Sequence, residues 1–135
     1  MKTDVVSTLE QYGIQPSAHR VAVAGYVLNT DEHPSADMVL AKVAAGFPLI
    51  SRATVYNTLN LFVEKGLLRE LYIAEGKVVF DPNVGKHHHF VDQQTGAIYD
   101  IPWDAVQVCN IEHLKGYEVY DYQVVLRGRP SKAKR

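Results

Sequence analysis

Three consecutive histidines, His87, His88 and His89, stand in an apolar-rich run, with Asp81 before them and Asp100 beyond them. On a strand alternate side chains share a face, so His87 and His89 would point one way and His88 the other. Two imidazoles at that spacing are the simplest chelate a strand can present to a metal. Asp81, Asp100 on the next predicted strand, and His33 at the mouth of the third predicted helix extend the set. Three nitrogens and two carboxylates are too oxygen-rich for a preferred structural zinc site. They suit Fe(II) or Mn(II), with Zn(II) able to occupy the site in vitro through raw affinity. A run of histidines can also be surface decoration or an adventitious zinc site, and the run alone does not decide.

A second constellation is Ser51-Arg52-Ala53-Thr54-Val55-Tyr56-Asn57-Thr58-Leu59. Val55 and Leu59 lie four apart and would pack inward, leaving Arg52, Thr54, Tyr56, Asn57 and Asn60 outside, most of them near a helix start. A helix entering the DNA major groove by its first turn needs such groups. Thr and Tyr touch thymine methyls, Asn pairs with adenine, and Arg reaches guanine or phosphate. His19, Arg20, Lys65 and Lys77 are candidates for the phosphate backbone. The same pattern also fits the polar face of an ordinary helix, and the hairpin predicted immediately downstream tips the balance towards DNA.

The elements that must position these groups are legible as helices and then strands. Val5, Val6, Leu9 and Tyr12 recur at helical spacing and Gly13 stops them. Ser17 caps a predicted helix through Asn29, with Val21, Ala24, Val27 and Leu28 inward. Ser35 opens a third, with Met38, Val39, Lys42 and Val43 on one side, and Ser51 caps the fourth, which Gly66 ends. Leu67–Ala74 and Lys77–Phe80 then flank Glu75-Gly76 as a hairpin, the layout of a winged helix. Beyond the turn-rich 81–85 segment come predicted strands at His87–Val91 and Ala97–Ile101, a short helix after Pro102, and a long strand from Tyr117 to Arg127. The fold class is α+β: a winged helix-turn-helix domain over 1–81, a hinge at 82–85, a small α/β domain over 86–128, and a basic tail at 129–135.

Composition bounds the function without pointing to DNA. The 135 residues carry a formal net charge of −1, with seven Lys/Arg against eight Asp/Glu in the first 80. Tight DNA binding from so weakly charged a surface needs dimerisation or a local basic face. The five basic groups from Arg127 onward could add phosphate contacts. Cys109 is the one cysteine, which excludes an intrachain disulfide or a multi-thiolate site. No run approaches a membrane span, and the N-terminus lacks a secretory apolar stretch, so a cytoplasmic protein without a membrane partner is expected.

Taken jointly, Ser17-Ala18-His19-Arg20, His33-Pro34-Ser35-Ala36-Asp37, "SRATVYNTLNLFVEKGLLREL", Phe80-Asp81, "HHHF" and "GAIYDI" resemble the ferric uptake regulator (Fur) superfamily from about Gln15 to Arg127. The resemblance implies a homodimeric repressor whose regulatory metal organises two DNA-binding domains over a palindromic operator in double-stranded DNA. Its regulatory ligands fall on His33, Asp81, His87, His89 and Asp100, and its recognition helix on the segment from Ser51. Many relatives hold a structural zinc by two Cys-x-x-Cys pairs. Here Asp92 and Thr95 occupy the first pair's positions, so no structural zinc is expected. A further metal site of some relatives would need ligands at Lys86, Gln107 and Tyr122, and is not expected either.

Two branches resemble this chain. Peroxide regulators tend to carry aspartate at the position of Asp100, and there Fe(II) and hydrogen peroxide oxidise a ligand histidine and release DNA. Iron-response regulators of the haem-sensing kind share "HHHF", "DIP" and the "GYEV…VVLRGR" ending, which would give His88 a haem-linked role and make haem a ligand. Peroxide sensing is the preferred reading. The rivals from other classes are a non-haem metalloenzyme built on His-x-His plus a carboxylate, and a metal-buffering dimer that does not bind DNA.

Overall fold

A computed structural model describes residues 4–74 and 76–131. Glu75 of the predicted turn and residues 132–135 of the predicted tail lie outside the described residues. The chain divides into two compact units, the first ending at Val84 and the second starting at Gly85.

The first unit opens with α1 (Val5–Gln11), α2 (Ala18–Val27), α3 (Ala36–Val43) and α4 (Arg52–Glu64). Each begins on a short polar residue whose side chain accepts an otherwise orphaned amide: Asp4 from Ser7, Ser17 from Arg20, Ser35 from Met38, Ser51 from Thr54. The end of α4 is closed by Gly66 at φ 83°, with Gly66 N–H on Val63 O at 3.1 Å and Leu67 N–H on Phe62 O at 2.8 Å. That double bond needs a left-handed residue, which glycine supplies without a Cβ clash.

The core joins Leu9, Val23, Val27, Val39, Val55, Leu59 and Phe62, all wholly buried, with Leu67, Leu68 and Phe80 closing it from the hairpin side. Each such side chain contributes about 1.5–3 kcal/mol by leaving water. Several predicted faces are displaced. Val23, not expected inward, is buried, while Val21 and Leu28 pack at the core's edge. Met38 is 41% exposed and Lys42 faces solvent, because α3 turns Ala36, Val39 and Val43 inward. Thr58 is buried in α4, its hydroxyl donating to Thr54 O at 2.7 Å, which lets a polar residue sit in an apolar stripe. Strands β1 (Arg69–Ala74) and β2 (Lys77–Asp81) form the antiparallel hairpin, paired Arg69 to Asp81 and Leu71 to Val79.

In the second unit β3 (His87–Asp92) is the middle strand of a three-stranded sheet. It is antiparallel to β4 (Ile98–Pro102) and parallel to β5 (Val125–Gly128). The β3–β4 connection closes through Asp92, whose carboxylate accepts Gln94 N–H at 2.8 Å and Thr95 N–H at 3.4 Å. Two expectations are corrected here. The helix after Pro102 is only a 3-10 turn, Trp103–Ala105. The long strand from Tyr117 shrinks to Val125–Gly128, and among the described residues only Val124 of the preceding stretch carries the backbone pairing with β3 further, its carbonyl accepting His89 N–H at 3.0 Å. Tyr117 and Tyr120 are 76% and 91% exposed.

Candidate metal centre and nucleic-acid interface

His33 and Asp81 meet inside the first unit. Phe80 N–H donates to Pro34 O at 2.9 Å, tying the end of β2 to the loop before α3. That bond sets the residues on either side of it together, and His33 Nε2 lies 3.3 Å from Asp81 Oδ2. The other oxygen, Asp81 Oδ1, accepts Asn83 N–H at 2.9 Å, so the carboxylate is fixed in rotation. His33 holds a left-handed backbone, φ 53°, which a Cβ-bearing residue adopts at a cost of about 1 kcal/mol or more.

His87, His89 and Asp100 meet inside the second unit. The β3–β4 register sets His89 directly opposite Asp100, and alternation puts His87 on the same face. Asp100 Oδ1 lies 3.4 Å from His87 Nε2 and 3.4 Å from His89 Nε2, with the two imidazole centroids 4.5 Å apart. Asp100 is itself exposed, while both imidazoles are buried.

In all three histidines Nδ1 points at an oxygen: Asp31 O at 2.9 Å for His33, Gly85 O at 2.7 Å for His87, and Gln123 Oε1 at 3.1 Å for His89. A carbonyl oxygen only accepts, so each Nδ1 faces an acceptor, while each Nε2 is turned to a carboxylate, Asp81 for His33 and Asp100 for His87 and His89. Neutral imidazoles whose remote nitrogen donates to an oxygen are what metal ligation requires. These residues fit a borderline divalent ion such as Fe(II), Mn(II) or Zn(II), taken through nitrogen and carboxylate oxygen.

His88 points to the opposite face. It is wholly buried, its ring stacked on Trp103 at 4.5 Å and 13°, with Lys86 Nζ 5.5 Å above the Trp103 ring centroid. Val124 N–H donates to His88 Nδ1 at 2.9 Å, so here the proton sits on Nε2, which has no hydrogen-bond partner among the described residues. Neither Trp103 nor Gln123 was singled out from sequence. Gln123 lies 34 residues from His89 and carries no local signal.

The DNA-reading candidates lie at the start of α4 and beside it. Arg52, Tyr56 and Asn57 are exposed. The Ser51 and Thr54 hydroxyls are engaged with each other at 2.9 Å within the cap. His19 and Arg20 are half-buried at the start of α2 and line a cleft with Thr54 and Asn57. His19 packs edge-on against Phe47, and Arg20 donates to Gln15 O at 3.0 Å. Lys77 is exposed where β2 begins. Arg52 is paired with Asp37, a contact not foreseen from sequence; Asp37 foremost, and Tyr56 less, hold the guanidinium proton more tightly than usual. Among the described residues no helix is long and apolar enough to cross a membrane.

The family model described as the ferric uptake regulator family matches residues 11–127. The chain is 29% identical over 125 residues to the peroxide-responsive repressor PerR of Staphylococcus aureus, covering 91% of this chain and 84% of that protein. It is also similar to the solved Campylobacter jejuni peroxide stress regulator, at TM-score 0.66 and 26% identity over 96% of this chain and 98% of that one. The Pseudomonas aeruginosa ferric uptake regulator with manganese aligns at TM-score 0.67 and 25% identity over 96% and 100% of the two chains. With a four-helix and hairpin unit ahead of a histidine-bearing sheet, and a family match running almost from end to end, this chain belongs to the ferric uptake regulator family, whose members are metal-dependent transcription regulators and not enzymes.

Proposed function

We propose that this chain is a peroxide-sensing repressor, acting as a cytoplasmic homodimer on a palindromic operator when one divalent metal per chain, Fe(II) or Mn(II), engages His33, Asp81, His87, His89 and Asp100. The observation that carries the reading is Asp100 facing both His87 Nε2 and His89 Nε2, each at 3.4 Å, on a single face of the sheet. Aspartate at this position and the likeness to peroxide-responsive relatives support the peroxide branch. The ligands come from both sides of the 82–85 segment. A metal that bound both sets would therefore favour whichever arrangement of the 1–81 and 86–128 domains lets it do so. Moving such a population from mostly open to mostly closed takes about 5 kcal/mol of differential affinity. Two domains fixed by a dimer would then offer α4, through Arg52, Tyr56 and Asn57, to successive major grooves, with His19, Arg20 and Lys77 toward phosphates.

When bound, Fe(II) would supply the redox chemistry by which hydrogen peroxide oxidises a neighbouring imidazole, one peroxide oxygen entering the ring and the other leaving as water. His33 and His87 are the candidates to take up the oxygen, and loss of either removes a ligand and the hold on DNA. A structural zinc is not part of this proposal, since the Asp92 turn already closes the β3–β4 connection by hydrogen bonds. A haem-linked role for His88 is the second reading, favoured by a buried Nε2 with no hydrogen-bond partner among the described residues, though that nitrogen would have to give up its proton. Haem contact with His88 would require Trp103 to leave its stack.

The test is anaerobic loading with Fe(II), then peroxide or haem in parallel arms while operator binding is followed, with mass spectrometry on the peroxide arm. Peroxide release with one oxygen added to His33 or His87 is expected. Release by haem alone, with both histidines intact, would overturn peroxide sensing in favour of the haem branch. Operator binding that is the same in metal-free protein would overturn the metal switch itself.

A further inference from the structure

We propose that Tyr26 and Glu32 are positioning residues for the metal centre: their hydrogen bond clamps the loop between α2 and α3 and so holds His33 in the left-handed backbone that faces it to Asp81. The inference rests on the metal-binding reading above, but its central readout is a backbone conformation and needs no metal. His33 precedes Pro34, and a residue before proline favours the extended region. At φ 53° His33 stands outside that region, in a conformation that persists only where the surroundings over-determine it. A return to extended backbone would swing the side chain out of the position in which Nε2 lies 3.3 Å from Asp81 Oδ2.

The loop is fixed on both sides of His33. After it, Pro34 O accepts Phe80 N–H at 2.9 Å, which ties the chain to β2. Before it, Glu32 is the junction. Its Oε1 accepts the Tyr26 hydroxyl at 2.8 Å and the Thr30 hydroxyl at 3.1 Å, while Glu32 N–H donates to Thr30 Oγ1 at 3.2 Å. Tyr26 belongs to α2 and packs half-buried against the core, with Lys42 Nζ of α3 lying 5.7 Å from its ring centroid. The phenol is thus a rigid post set in the helices, and the Glu32 carboxylate is the tether that fastens the loop to it. Neither residue is proposed as a ligand; both act through where they put His33.

The experiment measures the nuclear Overhauser effect between the amide proton and Hα of His33 in the metal-free full chain, followed by Mn(II) titration. A left-handed residue brings these two protons of its own close together, so wild type should give a strong signal. Tyr26→Phe, which removes only the hydroxyl, and Glu32→Ala should weaken that signal and lower Mn(II) affinity about three- to tenfold, the range of one hydrogen bond. Glu32→Gln keeps an accepting oxygen for Tyr26 and should restore both. In a His33→Ala background, Tyr26→Phe should bring no further loss of Mn(II) affinity. An unaltered His33 signal in Tyr26→Phe and Glu32→Ala would overturn the inference. So would a Glu32→Gln variant no better than Glu32→Ala, or an equal loss from Tyr26→Phe in the His33→Ala background. Undiminished Mn(II) binding by His33→Ala itself would sink the metal reading, and the backbone signal would then judge the clamp by itself.

Discussion

Arg52, the first residue of α4, is ion-paired to Asp37 in the first turn of α3, and both side chains are mostly exposed. The pair links the helix proposed to read DNA to the helix before it. An exposed pair of this sort is screened by solvent and contributes little, so a phosphate or a guanine edge can displace it. Asp37 is then a competitor for the guanidinium. Asp37→Asn should tighten binding to an in-vitro-selected operator about two- to fivefold, and Arg52→Ala should weaken it about tenfold. Anisotropy titrations on the single and double variants check this. Equal gains from Asp37→Asn with and without Arg52 would show that Asp37 acts on DNA directly and not through Arg52.

His33 offers a substitution in which function and stability should separate. Glycine suits the φ of 53° and regains about 1 kcal/mol of backbone strain, while losing a hydrogen bond to Asp31 O worth about the same. His33→Gly should therefore melt near the wild-type temperature in metal-free form, yet fail to gain operator affinity on adding Mn(II). A full Mn(II) response in this variant would remove His33 from the ligand set.

The Asp92 turn should make the second unit's fold indifferent to chelators. Asp92 is buried and accepts two backbone amides, so Asp92→Ala is expected to cost about 1–2 kcal/mol, seen as a lower denaturant midpoint. Prolonged EDTA treatment of the wild type should leave circular dichroism unchanged. Unfolding by EDTA would point to a structural metal instead.

Tyr26 and Glu32, beside the His33 loop, give a pH signature. Burial, and then the hydrogen bond to Glu32, push the Tyr26 phenol up to about 12. The Glu32 carboxyl is held below its usual range, first by that hydroxyl at 2.8 Å and then by Thr30. For Tyr26 the protonated form is favoured in the fold, so its stabilisation is complete below pH 10 and is lost as pH rises through about 12. For Glu32 the ionised form is favoured, so its contribution is present above the ordinary carboxyl range and lost as pH falls through the lowered value. Ultraviolet titration of tyrosinate should show a late phase near pH 12 that disappears in Tyr26→Phe.

Much of the fold and the site was readable from residues, and the remainder was hidden for physical reasons. Helix starts were legible because a serine or aspartate side chain caps its own amides locally. Exact helix faces were less so: α3 buries Val39 and Val43 but leaves Met38 41% exposed, a choice made by packing against the other helices. Alternation on β3 gave the split between His87/His89 and His88. It could not give Gln123 as the partner of His89, or Trp103 as the cover of His88, since those contacts depend on where β5 and the Trp103 turn come to rest. The residues before β5 read as strand by composition, yet among the described residues the register with β3 starts at Val125.

The placement of β3 between an antiparallel neighbour and a parallel one has a consequence for fidelity. A slip of one residue would swap the strand's faces, turning a two-imidazole chelate into a lone His88. Pairing on one edge could tolerate such an error, but β4 holds His89 against Asp100 while β5 holds it against Val125. A misregistered strand would have to break both agreements at once. The sheet thus works as a proofreading frame, admitting the one alignment in which His87 and His89 share a face with Asp100.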